Sequence, residues 1–193
     1  MRRHSFWADP VGDMLTYLCE PRPWVEKVVG LAHNAKAFDL HFNLNRAVLL
    51  QWQPEQIMNG LKIMCLKMQH LVFLDSVSFL PFLLPKLPGA FGLTASKSRY
   101  PRLFNIKENL DYVGPIPDVS YYSANEMGKS ERAEFLASYE DQKDRVFDNL
   151  LVLETYCQDE VTVLRQACQV FRREFAQNGN IDVFQESITI ASA

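Results

Sequence analysis

The sequence contains no run of the roughly 18 uncharged apolar residues that a membrane-crossing helix requires. Its nearest stretch, Leu71 to Leu84, is interrupted by Asp75 and Pro81, so no membrane partner is expected. Paired C-x-x-C spacing is also missing. Cys19, Cys65, Cys157 and Cys168 are scattered, which argues against sulfur-bound zinc and suits an intracellular, reducing compartment such as nucleus or cytoplasm. The basic start Met1-Arg2-Arg3-His4 is followed by Asp9 and Asp13 with no apolar core, so no secretory leader is expected. Charge of one sign is scarce. A formal net charge of −3 disfavours a broad polyanion-binding surface while leaving local basic clusters such as Lys97 to Arg102. Internal repeats and low-complexity tracts are absent.

What remains is a chain of 193 residues, 48% hydrophobic and 12% aromatic, able to bury one substantial core. The apolar run Val28-Val29-Gly30-Leu31-Ala32 reads as a short buried strand. It opens into His33-Asn34-Ala35-Lys36-Ala37-Phe38-Asp39 and then into an amphipathic segment in which Phe38, Phe42 and Leu49 recur at helical spacing. An Asn and an Asp therefore stand at a strand-to-helix junction. Open α/β folds place their chemistry there, because the carboxyl end of a strand is both rigid and accessible.

Farther along, Leu61 to Leu66 and Leu71 to Leu74 flank the polar break 67–70 and predict a β-hairpin. Pro81, Pro85 and Pro88 punctuate a short helical segment ending at Gly89 or Gly92. The Pro, Gly, Asn, Ser and Tyr-rich stretch 94–127 has no period and reads as a long irregular surface loop. Ser130 is the expected N-cap of a following helix. A last helix is expected over about 152–176, with Val161, Leu164, Cys168, Phe171 and Phe175 as its buried stripe. On that helix Tyr156 and Glu160 are four residues apart and share a face, with Asp159 one step round. A tyrosine hydroxyl beside a carboxylate suits the orientation of a metal-bound water; an ordinary acidic helix face is the alternative.

Taken together, Asn34, Phe38 and Asp39, followed far downstream by Tyr156 and an acidic residue four positions later, resemble the second and third exonuclease motifs of family B DNA polymerases, in their protein-primed organellar, viral and transposon branch. Further stretches similar to that family are 57–63, 73–76, 87–93, 112–115 and 156–175. The resemblance implies an α/β fold: a truncated ribonuclease-H-like (DnaQ-like) exonuclease domain with a mixed sheet, flanking helices and the long loop. The implied division is a helical lead-in over 1–27, the partial exonuclease-like domain over 28–177 and a closing segment over 178–193.

Residue by residue, the resemblance makes Asp39 a ligand of one of two divalent ions, Mg²⁺ or Mn²⁺, and Asn34 and Phe38 contacts to the 3′ end of single-stranded DNA. Ser76 matches a small hydroxyl residue that touches the same strand, although Val77 stands where a leucine is usual. Lys97, with Tyr100 three residues on, matches the family's lysine motif. Tyr156 would orient water and Glu160 would take the third-motif metal position, its extra methylene displacing the carboxylate by roughly 1 Å; Asp159 is the other candidate for that role.

Two departures weigh against activity. The first-motif Asp-x-Glu pair has no counterpart among Asp9, Asp13, Glu20 and Glu26, so a two-metal site loses its bridging ligand, and no nucleotidyl-transfer carboxylates are present. The expectation is a fragment of a DNA-directed DNA polymerase with little or no activity, decayed or domesticated from a transposon, with a residual single-stranded DNA exonuclease and a nucleic-acid-binding module as alternatives. Missing opening strands would leave a sheet edge open to self-association or to a partner chain.

Overall fold

The computed structural model describes residues 3–95 and 98–192, and these form two compact units, one made of the described residues up to 93 and from 164 onward, the other of those between 94 and 163. In the first unit, helix α1 (Pro10–Cys19) starts where the Asp9 side chain accepts from the Gly12 N–H and Pro10 occupies the first turn. It buries Leu15 and Cys19 against α2 (Asp39–Leu49), and Arg46 of α2 pairs with Asp9.

The sheet of this unit is mixed, in the order β1-β4-β3-β2. Strand β1 (Val28–Ala32) runs parallel to β4 (Leu71–Asp75), in a register that sets Ala32 opposite Asp75. Strand β3 (Lys62–Met68) pairs antiparallel with β4 and with β2 (Glu55–Asn59), which carries a register shift at Ile57/Met58. The hairpin and the strand expected at 28–32 are thus present. Strand β2, exposed at all five residues, is polar enough to leave no alternating signal. Within the described residues β1 pairs with β4 alone, so it forms one edge of the sheet.

Helix α2 is where expected, but its buried side is different. Leu40, Asn43 and Ala47 face the core, while Phe38, Phe42 and Leu49 are more than 60% exposed. After β4, the short helix α3 (Leu87–Phe91) ends on Gly92 in the left-handed conformation that glycine adopts without strain.

The second unit opens with 3₁₀ turns rather than unstructured loop: Arg102–Phe104, Lys107–Asn109, Val119–Tyr122 and Ala124–Glu126. Each turn is too short for its period to show in sequence. Phe104, in the first of these turns, meets the rings of Tyr112, Tyr121 and Phe147 edge-on, and β5 (Val113–Gly114) pairs with β6 (Phe147–Asp148).

Helix α4 (Lys129–Gln142) has Gly128 at its N-cap rather than Ser130. The Ser130 hydroxyl lies inside the first turn and bonds Glu134. Helix α5 (Asn149–Gly179) begins three residues earlier than expected, where the Asp148 carboxylate accepts from the Leu151 N–H. Its buried positions are Asn149, Tyr156, Val163, Ala167 and Cys168; Val161 is 65% exposed. A short α6 (Val183–Glu186) places Phe184 in the first unit's core. All four cysteines are free, Cys157 alone being exposed. No helix among the described residues is long and apolar enough to cross a membrane.

Candidate nucleic-acid interface

The carboxyl ends of the parallel pair β1 and β4 bring together most of the candidate residues. Where β1 ends, Asn34 turns the chain with φ 62° and ψ 26°, a left-handed conformation that asparagine tolerates better than most residues. A 3₁₀ turn over Ala35–Ala37 then leads through Phe38 into α2, whose first residue is Asp39. A carboxylate there sits favourably against the helix dipole. Asn34, Phe38 and Asp39 are all exposed, and Ala35 between them is buried. The turn therefore grips the core by its small residue and offers its polar and aromatic ones outward.

Beneath the turn lies Asp75, at the end of β4 and without accessible surface. Its Oδ1 accepts the N–H of Asn34 at 3.0 Å and of Val77 at 2.8 Å; its Oδ2 accepts the N–H of Lys36 at 3.1 Å, with the Lys36 ammonium 3.8 Å away. Ser76 is equally buried. Its hydroxyl donates to the Ala32 carbonyl at 3.2 Å and lies 2.9 Å from His33 Nδ1, while His33 Nε2 donates to the Phe82 carbonyl at 3.0 Å. Ser76 thus serves internal bonds between the two strand ends. Asp75, which the sequence does not single out, is the hub of the arrangement.

Asp39 has its carboxyl pushed above the usual range, first by desolvation against the chain around it, opposed by a backbone N–H and reinforced by the negative charge of Asp75. A carboxyl raised in the folded state disfavours its own ionised form there. Its destabilising effect is present at neutral pH and disappears as pH falls through the folded pKa. Asp39→Asn is therefore expected to raise the thermal midpoint at pH 7, with the gain shrinking toward zero as the pH drops below the ordinary aspartate range. Scanning calorimetry of both proteins across that range checks it.

In the second unit, α5 brings Tyr156 and Glu160 together as the spacing suggests: the Tyr156 hydroxyl donates to Glu160 Oε1 at 2.6 Å. The same hydroxyl accepts from Arg102 Nη2 at 2.8 Å, a partner that no sequence signal marks. The Tyr156 ring is buried 5.4 Å from that of Tyr100. Asp159 is half-buried on the same helix. Lys97 lies outside the described residues.

Both Asp75 oxygens accept backbone N–H groups, and Glu160 Oε1 accepts the tyrosine hydroxyl. Among the described residues no three His, Cys, Asp or Glu side chains come together as a metal cluster.

Residues 26–193 match the family described as DNA polymerase type B, organellar and viral. The chain is also 29% identical over 117 residues to a protein of Agaricus bitorquis described as "Probable DNA polymerase"; the match covers 58% of this chain and 15% of that relative. No solved structure matches. With the match running from the strand β1 through the turn at Asn34 and Asp39 to the end of the chain, the protein belongs to the organellar and viral type B DNA polymerases.

Proposed function

We propose that this chain is an exonuclease-type region of a type B DNA polymerase that holds the 3′ end of single-stranded DNA at the carboxyl ends of β1 and β4, with little or no phosphodiester cleavage of its own. The observation that carries the reading is the turn 34–39, which exposes 63% of Phe38 beside Asn34. Phe42 stands one helical turn farther on and is 62% exposed. Exposed aromatic rings provide stacking surfaces for unpaired bases whatever their sequence.

A ribonuclease-H-like fold belongs to the same proposal. It is supported by the parallel β1 and β4 pair with α2 following β1. Weak cleavage is supported by the commitment of the Asp75 oxygens to backbone N–H groups, which leaves Asp39 as the acidic residue presented by this turn. A residual nuclease using Mg²⁺ or Mn²⁺ is the second reading, favoured by the Tyr156 bond to Glu160.

Fluorescence anisotropy with a labelled oligothymidylate at low salt tests the proposal. Phe38→Ala is expected to weaken binding by about 5- to 150-fold, the loss of one stacked base at about 1–3 kcal/mol, and affinity should fall as salt rises. Equal affinity of the two proteins would sink the reading. Shortening of the oligonucleotide by wild type with Mn²⁺ but not by Asp39→Ala would establish the nuclease instead.

A further inference from the structure

We propose that Asp75 is the positioning residue of the DNA-facing turn: its buried carboxylate clamps the backbone of Asn34 and Lys36, and so holds Asn34 and Phe38 in one presentation. The clamp stands on geometry alone; what it serves rests on the single-stranded DNA reading above.

A carboxylate with no accessible surface is costly unless its oxygens are fully engaged. A purely local solution is available, since Asp75 accepts the N–H of Val77 two residues on, the ordinary capping bond of a turn. Yet Oδ1 and Oδ2 also take N–H groups from Asn34 and Lys36, which lie 41 and 39 residues earlier in the chain. The turn they belong to needs an outside constraint. Asn34 is left-handed, with φ 62°, a conformation that residues other than glycine adopt rarely and asparagine more readily than most. With both ends of the 34–36 segment bonded to one rigid carboxylate, Asn34 and the exposed Phe38 follow from a fixed backbone. Asp75 itself cannot touch a ligand, because it has no surface to offer.

Asp75→Asn separates the two ends of the clamp. Keeping a carbonyl oxygen toward Asn34 and Val77 leaves the amide NH₂ facing the Lys36 N–H, donor against donor. In the ligand-free protein, hydrogen exchange at the Lys36 amide should therefore speed up about ten-fold or more, while Ile63, Leu66 and the other β3 amides exchange at wild-type rates. Affinity for the oligothymidylate should fall about ten-fold, equivalent to about 1.4 kcal/mol. If β3 amides accelerate as much as Lys36, Asp75 is a general structural residue and the inference fails. Unchanged exchange at Lys36, or wild-type affinity in Asp75→Asn, overturns it as well. Wild-type protein that binds no oligonucleotide overturns the DNA reading itself, whereas loss confined to the variant upholds both. Should Asp75→Asn fold poorly, adding Asn34→Gly relieves the left-handed strain and keeps the Lys36 exchange readout.

Discussion

Phe79→Ala is expected to lower the unfolding free energy by about 3–5 kcal/mol, the range for deleting a buried phenylalanine whose cavity cannot collapse. Phe79 is 1% exposed, and its ring stands edge-on to Phe184 at 5.0 Å and to Phe171 at 6.4 Å. It therefore joins the segment after β4 to α6 and to the later part of α5, all within the first unit. Removing the ring costs transfer free energy, two aromatic pairings and the order of the chain that follows β4. Trp7, Trp24 and Trp52 belong to that same unit, so a denaturant titration followed by tryptophan fluorescence reads the change. Phe79→Leu, which keeps most of the volume, should cost about 1–2 kcal/mol. A loss near the lower end of the range would show that the cavity closes, whereas equal midpoints for Phe79→Ala and wild type would refute the burial of this ring.

The second large effect is expected at Asn149, the first residue of α5 and 0% exposed. Its Oδ1 accepts the Tyr100 hydroxyl at 2.8 Å and its Nδ2 donates to the Asn109 carbonyl at 2.7 Å. Asn149→Leu keeps the volume but strands the buried Tyr100 hydroxyl, at about 1–3 kcal/mol for an unsatisfied group, while the Asn109 carbonyl keeps the Tyr112 N–H at 3.1 Å. The expected loss is about 2 kcal/mol, read as the urea midpoint of the helical circular dichroism signal. Adding Tyr100→Phe removes one stranded group, so the double variant should be less than additive by about 1 kcal/mol. Strict additivity would mean that the hydroxyl finds another partner.

Much of the first unit is legible in the sequence because its signals are local. The β1 run, the β3 and β4 hairpin and the Gly92 cap each follow from a few adjacent residues. The face of α2 is not legible in the same way. Its large side chains mark a helical period through Phe38, Phe42 and Leu49, but the helix packs α1 and the sheet closely and buries the smaller Leu40, Asn43 and Ala47. Similarly, Val161 fits the apolar period of α5 and yet points outward, while Val163 and Ala167 are buried.

The site shows the same division. The spacing of Tyr156 and Glu160 fixes their hydrogen bond, since four residues along a helix bring two side chains together. Arg102 on the same hydroxyl and Asp75 beneath the Asn34 turn come from contacts across 54 and 41 residues of sequence. No periodicity connects residues so far apart. Asp75 in particular reads as the polar end of an apolar run, and only the parallel register with β1 reveals what its carboxylate holds.

That register also determines when the turn takes shape. Strands β2, β3 and β4 succeed one another through short connections and can zip together locally, whereas Asn34 and Asp75 meet only once a loop of 41 residues has closed. Closing such a loop costs roughly 3 kcal/mol of chain entropy, and contacts of high sequence separation form late. The turn over 34–39 is therefore expected to form late in folding, when β1 docks beside the hairpin of β3 and β4, and to be lost when that parallel pair opens.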